Sequence, residues 1–126
     1  MINIGSEFQL ETIVTKEKTA LNMKSGDVEV FATPSMIALM EETANNCLKE
    51  YISPEEISVG TMISTSHVKA TPLDMKVRCV CKVTEVEGRM VTFDIKAYDE
   101  IGLIGEGSHQ RCVLNREKFL NKVYNK

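Results

Sequence analysis

The sequence predicts an α+β fold in which an antiparallel sheet wraps or covers one long helix, and three observations carry that reading. From Thr33 a run without internal glycine or proline extends as far as Ser53-Pro54, opening on a hydroxyl residue and Pro34, a favoured helix start. Residues 76–84 and 90–98 alternate apolar and polar side chains, the period of half-buried antiparallel strands. Short glycine-bearing reversals separate the extended segments, so the strands should meet as consecutive antiparallel neighbours.

Taken in order, residues 7–15 set Phe8, Leu10, Thr12 and Val14 against polar neighbours, which suits a first strand. The following K-E-K-T-A-L-N-M-K-S-G-D has no sustained period and reads as a connection holding at most a short strand. On a wheel of 100° per residue, Met36, Met40, Thr43, Ala44, Cys47 and Tyr51 form a stripe that Ile37 and Leu48 widen. Glu42, Asn45, Asn46 and Lys49 share the other side, so one broad face of the helix should be buried.

After the loop S-P-E-E-I-S-V-G, a strand over roughly 61–71 is mixed on both faces and carries His67. In the next, Val77, Cys79, Cys81 and Val83 alternate with charged or hydroxyl residues. V-E-G-R then makes a hairpin loop into a strand where Val91, Phe93, Ile95 and Ala97 alternate with Thr92, Asp94 and Lys96. Asp99-Glu100-Ile101-Gly102 supplies the next reversal. The last strand, about 103–114, places Gly105, Gly107, His109 and Arg111 on one face. Its two glycines leave a bare strip where another backbone or a ligand can come close. The tail N-R-E-K-F-L-N-K-V-Y-N-K reads as a weak terminal helix or a fraying end.

A chain of 126 residues fits one domain spanning 1–126. With 43% hydrophobic and 26% charged residues its composition is that of ordinary globular protein. A net charge of -3 offers no basic footprint for nucleic acid. The amino terminus lacks a basic region leading into an apolar one, and nowhere do eighteen apolar residues run together. The expectation is therefore a soluble cytoplasmic protein without nucleic-acid or membrane partners. Cys47, Cys79, Cys81 and Cys112 lack zinc-type spacing and an export signal, so they read as free, mostly core thiols, with no metal or other cofactor expected.

A polar trio stands out against this background: Thr33 at the helix start, Glu41 eight residues on, and His67, one of two histidines. A hydroxyl, a carboxylate and an imidazole are working parts of acyl-transfer or hydrolytic chemistry. Each also has a plainer reading. Thr33 suits a helix cap, worth about 1 kcal/mol; Glu41 lies at the margin of the apolar arc, where Glu50 is placed as well; a lone strand histidine is commonly structural.

The strings F-A-T-P-S-M-I-A-L-M-E-E, V-G-T, H-V-K-A-T-P, V-E-G-R-M-V-T-F-D and I-G-E-G-S-H-Q-R occur in that order between about residues 30 and 119. In these the chain resembles the hotdog-fold acyl-CoA thioesterases, and within them the fluoroacetyl-CoA thioesterase-like group. That resemblance implies a curved antiparallel sheet wrapped around one long central helix, and a homodimer with its sites at the interface. It also implies catalytic roles for Thr33, Glu41 and His67, a substrate contact at Gly60, and a basic position at Arg111 that suits substrate binding, although an arginine on that strand face more commonly makes a structural ion pair. The first thirty residues match poorly, and no aromatic residue lies between Phe8 and Phe31, so specificity for fluoroacetyl groups does not follow.

A thioester's leaving thiolate needs little protonation, its thiol pKa being roughly 8.5. Hydrolysis then requires chiefly an activated nucleophile and stabilisation of the oxyanion. His67 is the natural general base near neutral pH. Glu41 can orient the imidazolium, position water or attack the carbonyl itself, and the residues do not choose among these. The expected activity is hydrolysis of a short or modestly sized acyl-CoA without metal or redox cofactor. The alternatives are a hotdog module that binds acyl-CoA without turnover, or a hydratase or dehydratase acting on the acyl chain.

Overall fold

The computed structural model describes residues 2–126. Strand β1 (Glu7–Ile13) leads through a short 3-10 turn (Lys16–Lys18) to helix α1 (Thr33–Lys49), then β2 (Glu56–Thr65), β3 (Lys76–Glu87), β4 (Met90–Tyr98), β5 (Leu103–Asn115) and helix α2 (Arg116–Tyr124). The connection after β1 contains turns and isolated bridges, Thr19 to Phe31 and Val30 to Pro72, in place of a short strand.

Helix α1 buries Ser35, Met36, Leu39, Met40, Thr43, Ala44, Cys47 and Leu48, the i, i+3, i+4 spacing of one apolar face. The Thr43 hydroxyl, buried on that face, donates to the Leu39 carbonyl at 2.7 Å, so it adds no unsatisfied donor to the core. The helix stops four residues before Ser53. Tyr51 and Ile52 both turn their N–H groups onto the Leu48 carbonyl, tightening the last turn ahead of Pro54.

The five strands form one antiparallel sheet in the order β1-β3-β4-β5-β2. The hairpins β3–β4 and β4–β5 follow the sequence reading, the first turning at Gly88 with φ of +61°. Two expectations need correction. The strand placed at 61–71 runs instead over Glu56–Thr65, because the stretch read as a loop already pairs with β5, Glu56 opposite Asn115. Nor are β2 and β3 neighbours: residues 66–75 cross from the far edge, and β2 lies beside β5. His67 consequently lies beyond the end of β2.

Alternation in β3 and β4 buries Val77, Cys79, Cys81, Val83, Val91, Phe93, Ile95 and Ala97 against α1. The bare strip of β5 is met by backbone. A side chain at Gly107 would begin 1.9 Å from the Ser64 carbonyl oxygen, and one at Gly105 2.5 Å from that of Ser66. This close approach carries the chain past Thr65 and delivers His67 to the start of α1. Helix α2 is capped by Asn115, whose side chain accepts from the Lys118 N–H at 3.0 Å, and buries none of its own residues.

Candidate active site

Thr33 is the first residue of α1, and Ala32 holds the N-cap position without a side-chain cap. The threonine hydroxyl is therefore free for another partner, and it lies 2.7 Å from His67 Nδ1. The imidazole is held on both sides by backbone: Ser66 N–H donates to the Glu106 carbonyl at 3.0 Å and Val68 N–H to that of Ile104 at 2.7 Å. The Phe31 ring meets the imidazole edge-on, with centroids 6.5 Å apart. His67 Nε2 is buried and has no hydrogen-bond partner among the described residues.

Burial pushes the His67 pKa below the usual imidazole value, and the nearby Lys69 backbone offsets this in part. A less basic imidazole stays neutral further into acid and so remains competent to take a proton. Beside the pair opens a cavity of about 240 Å³, bordered by Ala20, Val30, Phe31, Lys69 and Ala70.

Glu41 is not in that cluster. Eight residues of helix place it about 12 Å further along the α1 axis than Thr33, where it meets β2 and β5. A Cβ built on Gly60 would lie 2.8 Å from Glu41 Oε2, 3.4 Å from His109 Cε1 and 3.5 Å from Arg111 Nη1. Gly60 pairs with Arg111 across β2 and β5. The glycine thus leaves a gap bordered by a carboxylate, an imidazole and a guanidinium.

Within this second cluster Arg111 is 7% exposed and His109 fully buried. Arg111 donates from Nε to Ser58 Oγ at 2.8 Å and from Nη2 to the Ser58 carbonyl at 3.0 Å. His109 Nδ1 lies 2.8 Å from the Met62 carbonyl, and its Nε2 lies 3.3 Å from Arg111 Nη1. Burial holds the His109 pKa down; the Met62 carbonyl opposes this, Arg111 adds to it and Glu41 opposes it. The arginine is set inside the sheet and fixed by neutral partners.

One chain therefore brings Thr33 to His67, and Glu41 to Gly60 and Arg111, as two separate clusters. Sequence reasoning passed over Ser58 and Asn45, whose side chains bond at 2.9 Å. Ser58 falls in the stretch whose sequence reads as a loop, and Asn45 on the polar side of α1. Recognising β2 from Glu56 onward would have set Ser58 and Gly60 on one strand face by period-2 geometry.

Comparison with known proteins agrees with this architecture. The family model described as fluoroacetyl-CoA-specific thioesterase matches residues 14–117. The fluoroacetyl-CoA thioesterase of Streptantibioticus cattleyicolor is 34% identical over 131 residues, covering 99% of this chain and 94% of that protein. A solved structure of the fluoroacetyl-CoA thioesterase FlK superposes with a TM-score of 0.95 at 33% identity, over 100% of this chain and 98% of the other. A variant of FlK in complex with fluoroacetate and CoA gives 0.89 at 33% identity, over 94% and 99%. A Thermus thermophilus hypothetical protein, described as a thioesterase superfamily member, gives 0.91 at 29% identity, over 99% and 93%. A family pattern spanning most of the chain, a full-length relative and a shared hotdog architecture lead to one assignment: this chain belongs to the fluoroacetyl-CoA-specific thioesterase family.

Proposed function

We propose that this protein is a cytoplasmic, homodimeric thioesterase, one domain per chain over residues 1–126, that hydrolyses a short or modestly sized acyl-CoA to the free acid and CoA. The observation carrying this reading is the 2.7 Å contact between Thr33 and His67 beside a cavity of about 240 Å³. His67 acts as general base. Water adds its oxygen to the acyl carbon, the carbon–sulfur bond breaks, and the proton taken up by the imidazole passes to the departing thiolate. The order of attack, whether Thr33, Glu41 or water first meets the carbonyl, does not alter this balance.

The separation of the two clusters within one chain supports a second copy. Strand β2 pairs with β5 along one edge, and its ten residues carry a single charged side chain, Glu56. Such an edge invites a further strand. An antiparallel pairing of β2 with its copy would bring Gly60 of one protomer toward the end of the partner's β2, just before the partner's His67. Glu41, Gly60 and Arg111 then face the partner's Thr33–His67 pair, and Gly60 with Arg111 borders the bound acyl group.

A panel of acyl-CoAs with thiol release as readout tests the activity. Turnover that His67→Ala abolishes is the expected result. Tight acyl-CoA binding without turnover makes the protein a binding module, and modification of the acyl chain without thiol release makes it a hydratase or dehydratase; either outcome overturns the proposal.

A further inference from the structure

We propose that Asn45, Ser58, Arg111 and a neutral His109 form a positioning array that sets a guanidinium and an imidazole facing the Glu41 carboxylate across the Gly60 gap; this rests on the thioesterase reading and gives Asn45, Ser58 and His109 the role it leaves open. A buried guanidinium loses several kcal/mol of hydration unless its donors are met. Three of its five N–H groups are met here by neutral partners: the Ser58 hydroxyl and carbonyl, and the His109 ring. Among the described residues no carboxylate comes within 4.0 Å of Arg111; the ion pair found there joins Lys76 and Glu11. Glu41, across the gap, nevertheless acts electrostatically on both Arg111 and His109.

Hydrogen-bond chemistry gives the array a single direction. Arginine only donates, so Ser58 Oγ accepts from Nε and turns its own proton to Asn45 Oδ1 at 2.9 Å. A carbonyl only accepts, so His109 Nδ1 carries the proton that meets the Met62 oxygen at 2.8 Å, leaving Nε2 to accept from Arg111. The chain of bonds works only with His109 neutral. Arg111, tied to Ser58 and His109, makes no ion pair with Glu41, and the carboxylate keeps its oxygens for the gap. The titratable or charged groups facing Glu41 are Arg111 and His109 from β5; Gly60, its neighbour on β2, contributes none.

The test is a double-mutant cycle on kcat with Ser58→Ala, Asn45→Ala and Glu41→Gln. Ser58→Ala should lower kcat roughly tenfold or more while KM stays within about threefold, as expected for a misplaced catalytic group. In a Glu41→Gln background it should have no further effect, since the array acts through Glu41. The milder Asn45→Ala should show the same dependence, and Ser58→Thr should restore much of the lost rate. Equal, additive effects in both backgrounds would overturn the array.

A second readout needs no turnover. In a His67→Ala background His109 is the remaining imidazole, and its NMR titration midpoint should fall when Glu41→Gln removes the facing carboxylate. An unmoved midpoint also overturns the proposal. Failure of the thioesterase reading itself would show differently: wild-type protein would release no thiol, and the His109 titration would then decide the array by itself.

Discussion

Replacing Gly60 with alanine separates the placement of Glu41 from the stability of the fold. Gly60 has no left-handed φ, and the added Cβ would lie 2.8 Å from Glu41 Oε2, while its contacts at 3.4 Å to His109 and 3.5 Å to Arg111 are ordinary. The carboxylate ends a flexible side chain, so it must retreat by roughly 0.6 Å, a displacement in the range where misplacement costs about 10- to 100-fold in rate. Stability should change little. Relief of the strained contact is offset by the roughly 0.4–1 kcal/mol that Gly→Ala gains through the unfolded chain, and for a chain this size 1 kcal/mol moves Tm by about 3–6 °C. The measurements are kcat by thiol release and Tm by thermal denaturation. A kcat within twofold of wild type would show that the position of this carboxylate does not matter, refuting the reasoning.

Three further outcomes follow from the same geometry. On the proposed dimer with shared sites, mixing His67→Ala and Glu41→Gln proteins after unfolding and refolding should restore about one quarter of wild-type activity, because half the dimers would be mixed and each would hold one intact site; no recovery would place the whole site within one chain. Gly107→Ala should cost roughly 3 kcal/mol or more, since its Cβ would lie 1.9 Å from the Ser64 carbonyl oxygen, and urea unfolding checks this. The folded-state pKa values of His67 and His109 are both held down chiefly by burial. As pH falls below about 6.5 the unfolded chain takes up protons that the folded chain does not. Stability should therefore be full above that value and decline below it, and His67→Ala should flatten part of the decline in urea midpoints measured from pH 7.5 to 5.

The sequence made the helix and the β3–β4–β5 meander legible because each buries one face, and a buried face imposes a period. Strand β2 escaped for the opposite reason. Ser58 is buried by its hydrogen bond to Asn45, and Thr61 and Met62 are exposed around a bulge, so polarity no longer tracks depth. The same cause hid the inner cluster: Arg111 and Ser58 are polar residues held inside the sheet by one another, a pairing distant in sequence and invisible to local patterning. Thr33 and His67 were found as residue types in recognisable strings. Their contact depends on Gly105 and Gly107 drawing the chain past the end of β2, which a linear reading registers as a bare strip without its occupant.

The ten residues of β2 act as a ruler. Gly60 sits near the middle of the strand and His67 just past its end, so the spacing between the two clusters is set by extended backbone rather than by a flexible loop. Inserting or deleting one residue between them would flip every later side chain of the strand to the opposite face. Such a change would part the Thr33–His67 pair from the Gly60 cluster and unseat the Ser64 and Ser66 carbonyls from the glycines of β5, so the length of this one strand governs two places at once.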